Sequence, residues 1–255
     1  MKMREDYLNF SGKTALVTGG RRGLGKAMAL GLAEAGADVV IVGKQPQADE
    51  VCGKIRAMNR RCLYIQADLA ERAQRNGLIA RAVDFLGRLD ILINNAGAQS
   101  CAPLEAYSCE QWDCDVSVML TAVFELSRQA AEVMKSQRYG KIINLASVSS
   151  FQGARGIIGY STVKHGIVGL TKCLANELAP WGINVNAIAP GVFRTDLAAG
   201  VFADEKHAEA LRGRIPDGRF GEPEDIVGPM LFLAGGMSSH VHGHVLLVDG
   251  GWMGR

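Results

Sequence analysis

Tyr160 and Lys164 stand four residues apart in "YSTVK". On a helix that spacing puts both side chains on one face. A phenol beside an ammonium is a pair that can move a proton. A free tyrosine ionises near pH 10, and acid–base work near neutrality requires lowering that value by roughly three pH units, worth about 4 kcal/mol. A neighbouring cation lowers it by favouring the phenolate. Ser147 closes the apolar run "KIINLAS" and adds a hydroxyl able to hydrogen-bond a substrate oxygen on which charge develops. Tyrosine and lysine at this spacing also describe an exposed helix pair, so the reading depends on what surrounds them.

A second chemical feature lies near the start, in "LVTGGRRGLGKAMAL", Leu16 to Leu30. Glycines crowd a turn between an apolar strand and a helix. There the backbone can approach a pyrophosphate, and the helix N-terminus presents unpaired N–H groups to it. A glycine pattern alone is weak; strand before and helix after is the context it requires. The spacing is TGxxxGxG, with Gly19, Gly23 and Gly25.

Positioning these groups falls to an alternating chain. "KTALVT", "ADVVIV", "RCLYIQ", "LDILIN", "KIINLA", "INVNAIA" and "HVLLVD" read as buried strands separated by helical stretches. Such alternation predicts one α/β domain over 1–255, a doubly wound Rossmann fold whose parallel sheet of about seven strands carries helices on both faces. The polar stretch 194–219 interrupts the pattern at the carboxyl end of the sixth strand. It is placed to act as a lid over a ligand, and a surface helix pair fits it equally.

Bulk properties agree with a globular protein of 255 residues, 48% hydrophobic and 21% charged. A net charge of +2 gives no reason to expect a nucleic-acid partner. No run reaches the roughly 20 apolar residues of a membrane span. The opening "MKMREDYLNF" lacks the apolar core of a signal peptide. The six cysteines form no CxxC pair and no metal-ligand spacing, so reduced thiols, no bound metal and a cytoplasmic setting are expected.

Together the motifs resemble those of the short-chain dehydrogenase/reductase family. Beside TGxxxGxG they include "NNAG" at Asn94 to Gly97, Ser147, YxxxK, "PG" at Pro190-Gly191 followed by Thr195, and the closing "VDGGW". The resemblance implies that Tyr160 exchanges a proton with a carbonyl or alcohol, that Lys164 lowers the tyrosine's pKa and holds the nicotinamide ribose, and that Ser147 orients the substrate. It implies cofactor contacts at Gly19, Arg21, Arg22, Gly23, Leu24, Gly25, Asp68, Leu69, Asn95, Ala96, Gly97, Pro190, Gly191 and Thr195. It also implies a homotetramer. The apolar helix predicted over Ser161–Leu178 fits burial between subunits, and a core helix reads the same way.

One position departs from the pattern. The family's asparagine, seven residues after the tryptophan of "WD", falls on Met119 in "WDCDVSVML". Methionine cannot hold the water that links the lysine to solvent. Either the proton relay runs by another route or catalysis is weak; the intact serine, tyrosine and lysine favour an active enzyme.

Cofactor choice is read at the end of the second strand, where an acid selects NAD and a nearby cation accommodates the 2′-phosphate of NADP. Gly43 stands in the acid's place, Lys44 follows, and Arg22 precedes the second loop glycine. NADP(H) is therefore expected, with NAD(H) the alternative. Arg21 reads as a loop residue contributing mainly backbone. Several later segments resemble the sugar-acid branch of the family. Gln99, Gln152 and Arg155 are then candidate substrate contacts, with Arg194, Arg212 and Arg214 available for a carboxylate. The rival readings are a reductase of another ketone, such as a 3-oxoacyl thioester, and a dinucleotide-binding protein without turnover.

Overall fold

The computed structural model describes residues 7–255, so part of the charged opening stretch lies outside the described residues. Seven strands form one all-parallel sheet: β1 (Thr14–Thr18), β2 (Asp38–Gly43), β3 (Cys62–Gln66), β4 (Ile91–Asn94), β5 (Gly140–Leu145), β6 (Ile183–Pro190) and β7 (Val245–Val248). Their order is β3-β2-β1-β4-β5-β6-β7. Intervening helices are α1 (Gly23–Glu34), α2 (Asp49–Ala57), α3 (Arg72–Arg75), α4 (Leu78–Leu86), α5 (Cys109–Val116), α6 (Ala122–Gln137), α7 (Ile158–Leu178), α8 (Ala199–Phe202), α9 (Glu205–Arg212) and α10 (Val227–Ala234). The expected doubly wound fold is what forms.

The strands are apolar on both sides because both sides are covered. Side chains alternate across a strand. Ala15, Val17, Val39, Ile41, Ile91, Ile93 and Ile143 pack with Met28 and Leu32 of α1, Ile55 of α2 and Met230 of α10. Leu16, Val40, Val42, Leu92 and Ile142 face the other way, onto Ile79 of α4, Leu126 and Met134 of α6, and Leu178 of α7. Burying each of these Val, Leu, Ile or Met side chains stabilises the fold by roughly 1.5–3 kcal/mol. The apolar face of α7 is in large part this intrachain one: Val163, Ile167, Thr171, Ala175 and Leu178 are all buried at helical spacing.

The strand order reverses between β1 and β4, which opens a crevice at their carboxyl ends. The loops after β1, β4, β5 and β6 all empty there. Stretch 194–219 folds into α8 and α9 with a short turn before them. Phe202, Leu211, Ile215 and Phe220 from this region pack with Val148 and with Trp252 near the carboxyl end. Trp252 is thus buried in its own chain. Among the described residues no helix is long and apolar enough to cross a membrane, and no cluster of His, Cys, Asp or Glu is arranged to hold a metal.

Candidate active site

The glycine turn is built for close approach. Gly19 and Gly23 take φ of +67° and +54°, left-handed values that favour glycine. A Cβ on Gly19 would sit 2.9 Å from the Ala96 Cα and the Asn95 side-chain nitrogen. α1 starts at Gly23 with Arg22 as its N-cap; no side chain caps the first turn and no acidic residue lies within it. Its free N–H groups and the helix dipole favour an anion, so the residues present fit a dinucleotide pyrophosphate.

Thr18 and Asn95 fix this turn to the neighbouring loop. Thr18 Oγ1 accepts from the Asn95 and Ala96 backbone N–H groups at 2.9 and 3.0 Å, and the Asn95 amide donates to the Thr18 carbonyl at 2.8 Å. Asn95 thereby braces the cradle from below. Asn94 continues the bracing inward, donating to Ser127 Oγ at 3.1 Å and to Asn144 Oδ1 at 2.9 Å, while Asn144 donates to Thr171 Oγ1 at 3.0 Å. The sequence reading missed Thr18, Asn144 and Thr171, because each is an ordinary polar residue until the sheet aligns them.

Ser147, Tyr160 and Lys164 come together at the carboxyl end of β5. Ser147 caps a turn over Val148–Ser150, its Oγ accepting from the Ser149 N–H at 3.1 Å. Ser150, also missed, accepts from the Ser147 N–H at 3.2 Å and donates to the Lys164 carbonyl at 2.8 Å. This hydroxyl joins the serine strap to α7. The Lys164 ammonium lies 5.4 Å from the centre of the Tyr160 ring and donates to the Leu145 carbonyl at 2.5 Å.

Burial dominates the electrostatics of this group. Burial pushes the Tyr160 phenol up, against the opposing hydrogen bond with Ser147. Burial also pulls the Lys164 ammonium down to about 8.

At the adenosine end, Tyr64 of β3 explains Gly43. A Cβ at Gly43 would lie 2.7 Å from the Tyr64 hydroxyl, which donates to the Gln45 carbonyl at 2.5 Å. The tyrosine fills the space an acidic side chain would enter. Lys44 pairs with Asp68 at 2.7 Å, and Asp68 also accepts from the Ala70 N–H at 3.0 Å. Leu69 is buried beneath. Arg22 reaches across to Asp196 at 3.3 Å. The sequence reading saw no carboxylate near these cations; two arrive from distant segments. Arg21, expected to offer little beyond backbone, carries the charge that acts on Tyr64, opposing the burial that raises its phenol.

On the substrate side, Gln99 and Gln152 are half-buried and Arg155 is exposed. Their loops meet where the Ala102 N–H donates to the Gly156 carbonyl at 3.0 Å. Pro190 ends β6 and Gly191 follows it; a Cβ on Gly191 would lie 2.9 Å from the Asp249 Cα. A Cβ on Gly23 would lie 3.4 Å from the Thr195 side chain across the crevice, and Thr195 with Arg194, Asp196, Ala199, Phe202 and Ala203 lines a groove of about 470 Å³. The three arginines expected for a carboxylate are already engaged. Arg194 lies against the Phe202 and Phe220 rings and pairs with Glu222; Arg212 pairs with Glu209; Arg214 lies 4.0 Å over the Trp252 ring.

These features define a dinucleotide-dependent oxidoreductase site, and comparison with known proteins agrees. The pattern of the short chain dehydrogenase family matches residues 13–206, and the chain belongs to that family. It is 42% identical over 252 residues to the 2-dehydro-3-deoxy-D-gluconate 5-dehydrogenase of Pseudoalteromonas atlantica, covering 98% of this chain and 99% of that one. A crystal structure from Beutenbergia cavernae, assigned as an NAD(P)-dependent gluconate 5-dehydrogenase with NADP at low occupancy, superposes with a TM-score of 0.94. It is 40% identical and covers 98% of this chain and 100% of its own. A gluconate 5-dehydrogenase from Burkholderia cenocepacia, in complex with NADP and tartrate, gives a TM-score of 0.94 at 36% identity, with 98% of both chains covered.

Proposed function

We propose that this enzyme transfers hydride between NADP(H) and a secondary alcohol or ketone of a sugar acid resembling 2-dehydro-3-deoxy-D-gluconate. The observation that carries the reaction type is the convergence of Ser147, Tyr160 and Lys164 at the crevice edge that also holds the glycine cradle. Similarity to the sugar-acid dehydrogenases over nearly the whole chain supports the substrate class. Gly43 without an acid, Tyr64 over it, and Arg21, Arg22 and Lys44 nearby support NADP(H) over NAD(H).

When bound, the nicotinamide supplies the hydride and, once oxidised, a positive charge beside the phenol. In the reductive direction Tyr160 gives its proton to the carbonyl oxygen while Ser147 hydrogen-bonds that oxygen. Lys164 holds the ribose and stabilises the phenolate that results. Gly19, Gly23, Leu24 and Gly25 cradle the pyrophosphate; Asp68 and Leu69 hold the adenine; Ala96, Gly97, Pro190, Gly191 and Thr195 flank the nicotinamide half. Gln99, Gln152 and Arg155 meet the substrate, with 194–219 as its lid. A cytoplasmic homotetramer completes the reading, and the exposed Leu247 on edge strand β7 is consistent with association there.

The test measures oxidation of NADPH and NADH with a panel of keto sugar acids and 3-oxoacyl thioesters. Turnover with the sugar acids and NADPH is expected. Turnover confined to the thioesters, or tight cofactor binding with none, overturns the assignment.

A further inference from the structure

Asp115 of α5 is fully buried, and no step described so far uses it. Its Oδ2 accepts from the Tyr107 hydroxyl at 2.5 Å and its Oδ1 from the Ser100 hydroxyl at 3.3 Å. Both hydroxyls belong to the loop between β4 and α5 that carries Gln99. The third wall is α7. A Cβ on Gly159, the residue before Tyr160, would lie 2.3 Å from the Tyr107 hydroxyl and 2.7 Å from Asp115 Oδ2. Only a glycine lets the catalytic helix come so close. The same loop is tied a second time, where the Ala102 N–H donates to the Gly156 carbonyl.

From this geometry we infer that Asp115 is a positioning residue, which clamps the loop bearing Gln99 against the amino end of the catalytic helix through Tyr107 and Ser100. The inference rests on the proposed hydride-transfer site, because it sets where a substrate lies relative to Tyr160. A buried carboxylate is costly unless its oxygens are hydrogen-bonded, and here two hydroxyls from one loop supply those bonds. The same bonds fix the loop's height over α7. Burial and the adjacent carboxylate push the Tyr107 phenol up to about 12, so it remains a donor across the working pH range. Displacements near 1 Å in such supports cost up to about a hundredfold in rate. Asp115 lies one helical turn before Met119, so a polar anchor occupies this helix face although the family's asparagine does not.

The experiment compares Tyr107→Phe, Asp115→Val and Asp115→Asn in the full chain. Hydrogen exchange is followed in the 99–107 loop, and steady-state kinetics are run with NADPH and the best sugar acid. Tyr107→Phe and Asp115→Val are expected to speed exchange of the Ala102 amide while the β1 and β5 amides stay protected. They should lower kcat/KM for the sugar acid about 10- to 100-fold and leave NADPH affinity within twofold. Asp115→Asn, which can still accept from Tyr107, should recover most of both signals. Unchanged exchange at Ala102, or kcat/KM for the sugar acid within twofold of wild type in folded Tyr107→Phe and Asp115→Val, overturns the inference. Wild-type inactivity toward every sugar acid refutes the proposed function instead, and the exchange data still decide the clamp.

Discussion

The Lys164 ammonium donates to the carbonyl of Leu145, the last residue of β5, at 2.5 Å. One bond therefore sets the catalytic lysine against the strand that delivers Ser147. Ser150 adds a return bond to the Lys164 carbonyl. The reacting hydroxyls thus share a frame made of a strand end, a one-turn strap and a helix. That frame has an electrostatic cost, since the lysine is only 5% exposed and burial alone pulls it down to about 8.

The cost should be visible as pH-dependent stability. Lys141 of β5 is also buried and is pulled down to about 8, by burial and then by Lys13. For both lysines the folded value lies below the unfolded one, so above pH 8 the unfolded chain binds more protons. Stability must then rise with pH. Between pH 8 and 9 the gain should be roughly 1 kcal/mol per lysine. Above pH 9 the buried Cys62 thiol, which is pushed up, begins to oppose it. Urea unfolding of the protein without added dinucleotide measures this, and Lys141→Met should remove about half the slope. A flat or falling profile would contradict the burial argument.

Tyr160→Phe removes the proton donor and leaves the ring packing. Turnover should fall by about 10²- to 10⁴-fold, the usual range for general acid–base catalysis, with NADPH binding retained. Fluorescence titration beside steady-state assays separates the two. Retained turnover would assign the proton transfer elsewhere.

The two loop arginines should separate in a cofactor titration. Arg21→Ala removes the charge that acts on Tyr64, which lies over Gly43. It should weaken NADPH about tenfold, or about 1.4 kcal/mol, and NADH less than twofold. Arg22→Ala should show the same preference, since Asp196 is the one acid paired with Arg22 among the described residues. That pair is more than half exposed on both sides and holds the arginine only weakly. Equal losses for both dinucleotides would reject the 2′-phosphate reading of this loop.

Sequence alone carried far in this chain, and where it stopped is physically clear. Strands and cradle were readable because their signals are local: two-residue alternation, glycines at a strand-to-helix turn, four-residue spacing in YxxxK. Partners joined only by the fold were not. Asp196 meets Arg22 across 174 positions, and Asn95 braces Thr18 across 77. Tyr64 showed as a strand residue, with nothing local to say that its hydroxyl would cover Gly43. Asp115 read as one more charge in "WDCDV". Its burial follows from α5 packing on α7, and no local periodicity reports that. The burial of the site was hidden for a related reason, since spacing places a lysine near a tyrosine and says nothing of how burial moves either group.

Met119 carries the last prediction. It sits 1% exposed on a π-turn over Ser117–Thr121, between α5 and α6. Its sulfur would be 3.7 Å from a Cβ on Gly97, so the side chain packs beneath the "NNAG" loop. Met119→Asn replaces apolar packing with an amide that must find hydrogen bonds or lose about 1–3 kcal/mol of stability. A lower melting temperature is therefore expected. Catalysis should move the other way or not at all, because the amide supplies at position 119 the polar group that methionine lacks for linking the lysine to solvent. Turnover per folded molecule is expected to equal or exceed wild type. The assay compares kcat across pH 6–9 for protein confirmed folded by circular dichroism. A sharp fall in kcat would show that proton delivery has been rebuilt around the methionine, and that the relay runs through groups other than this turn.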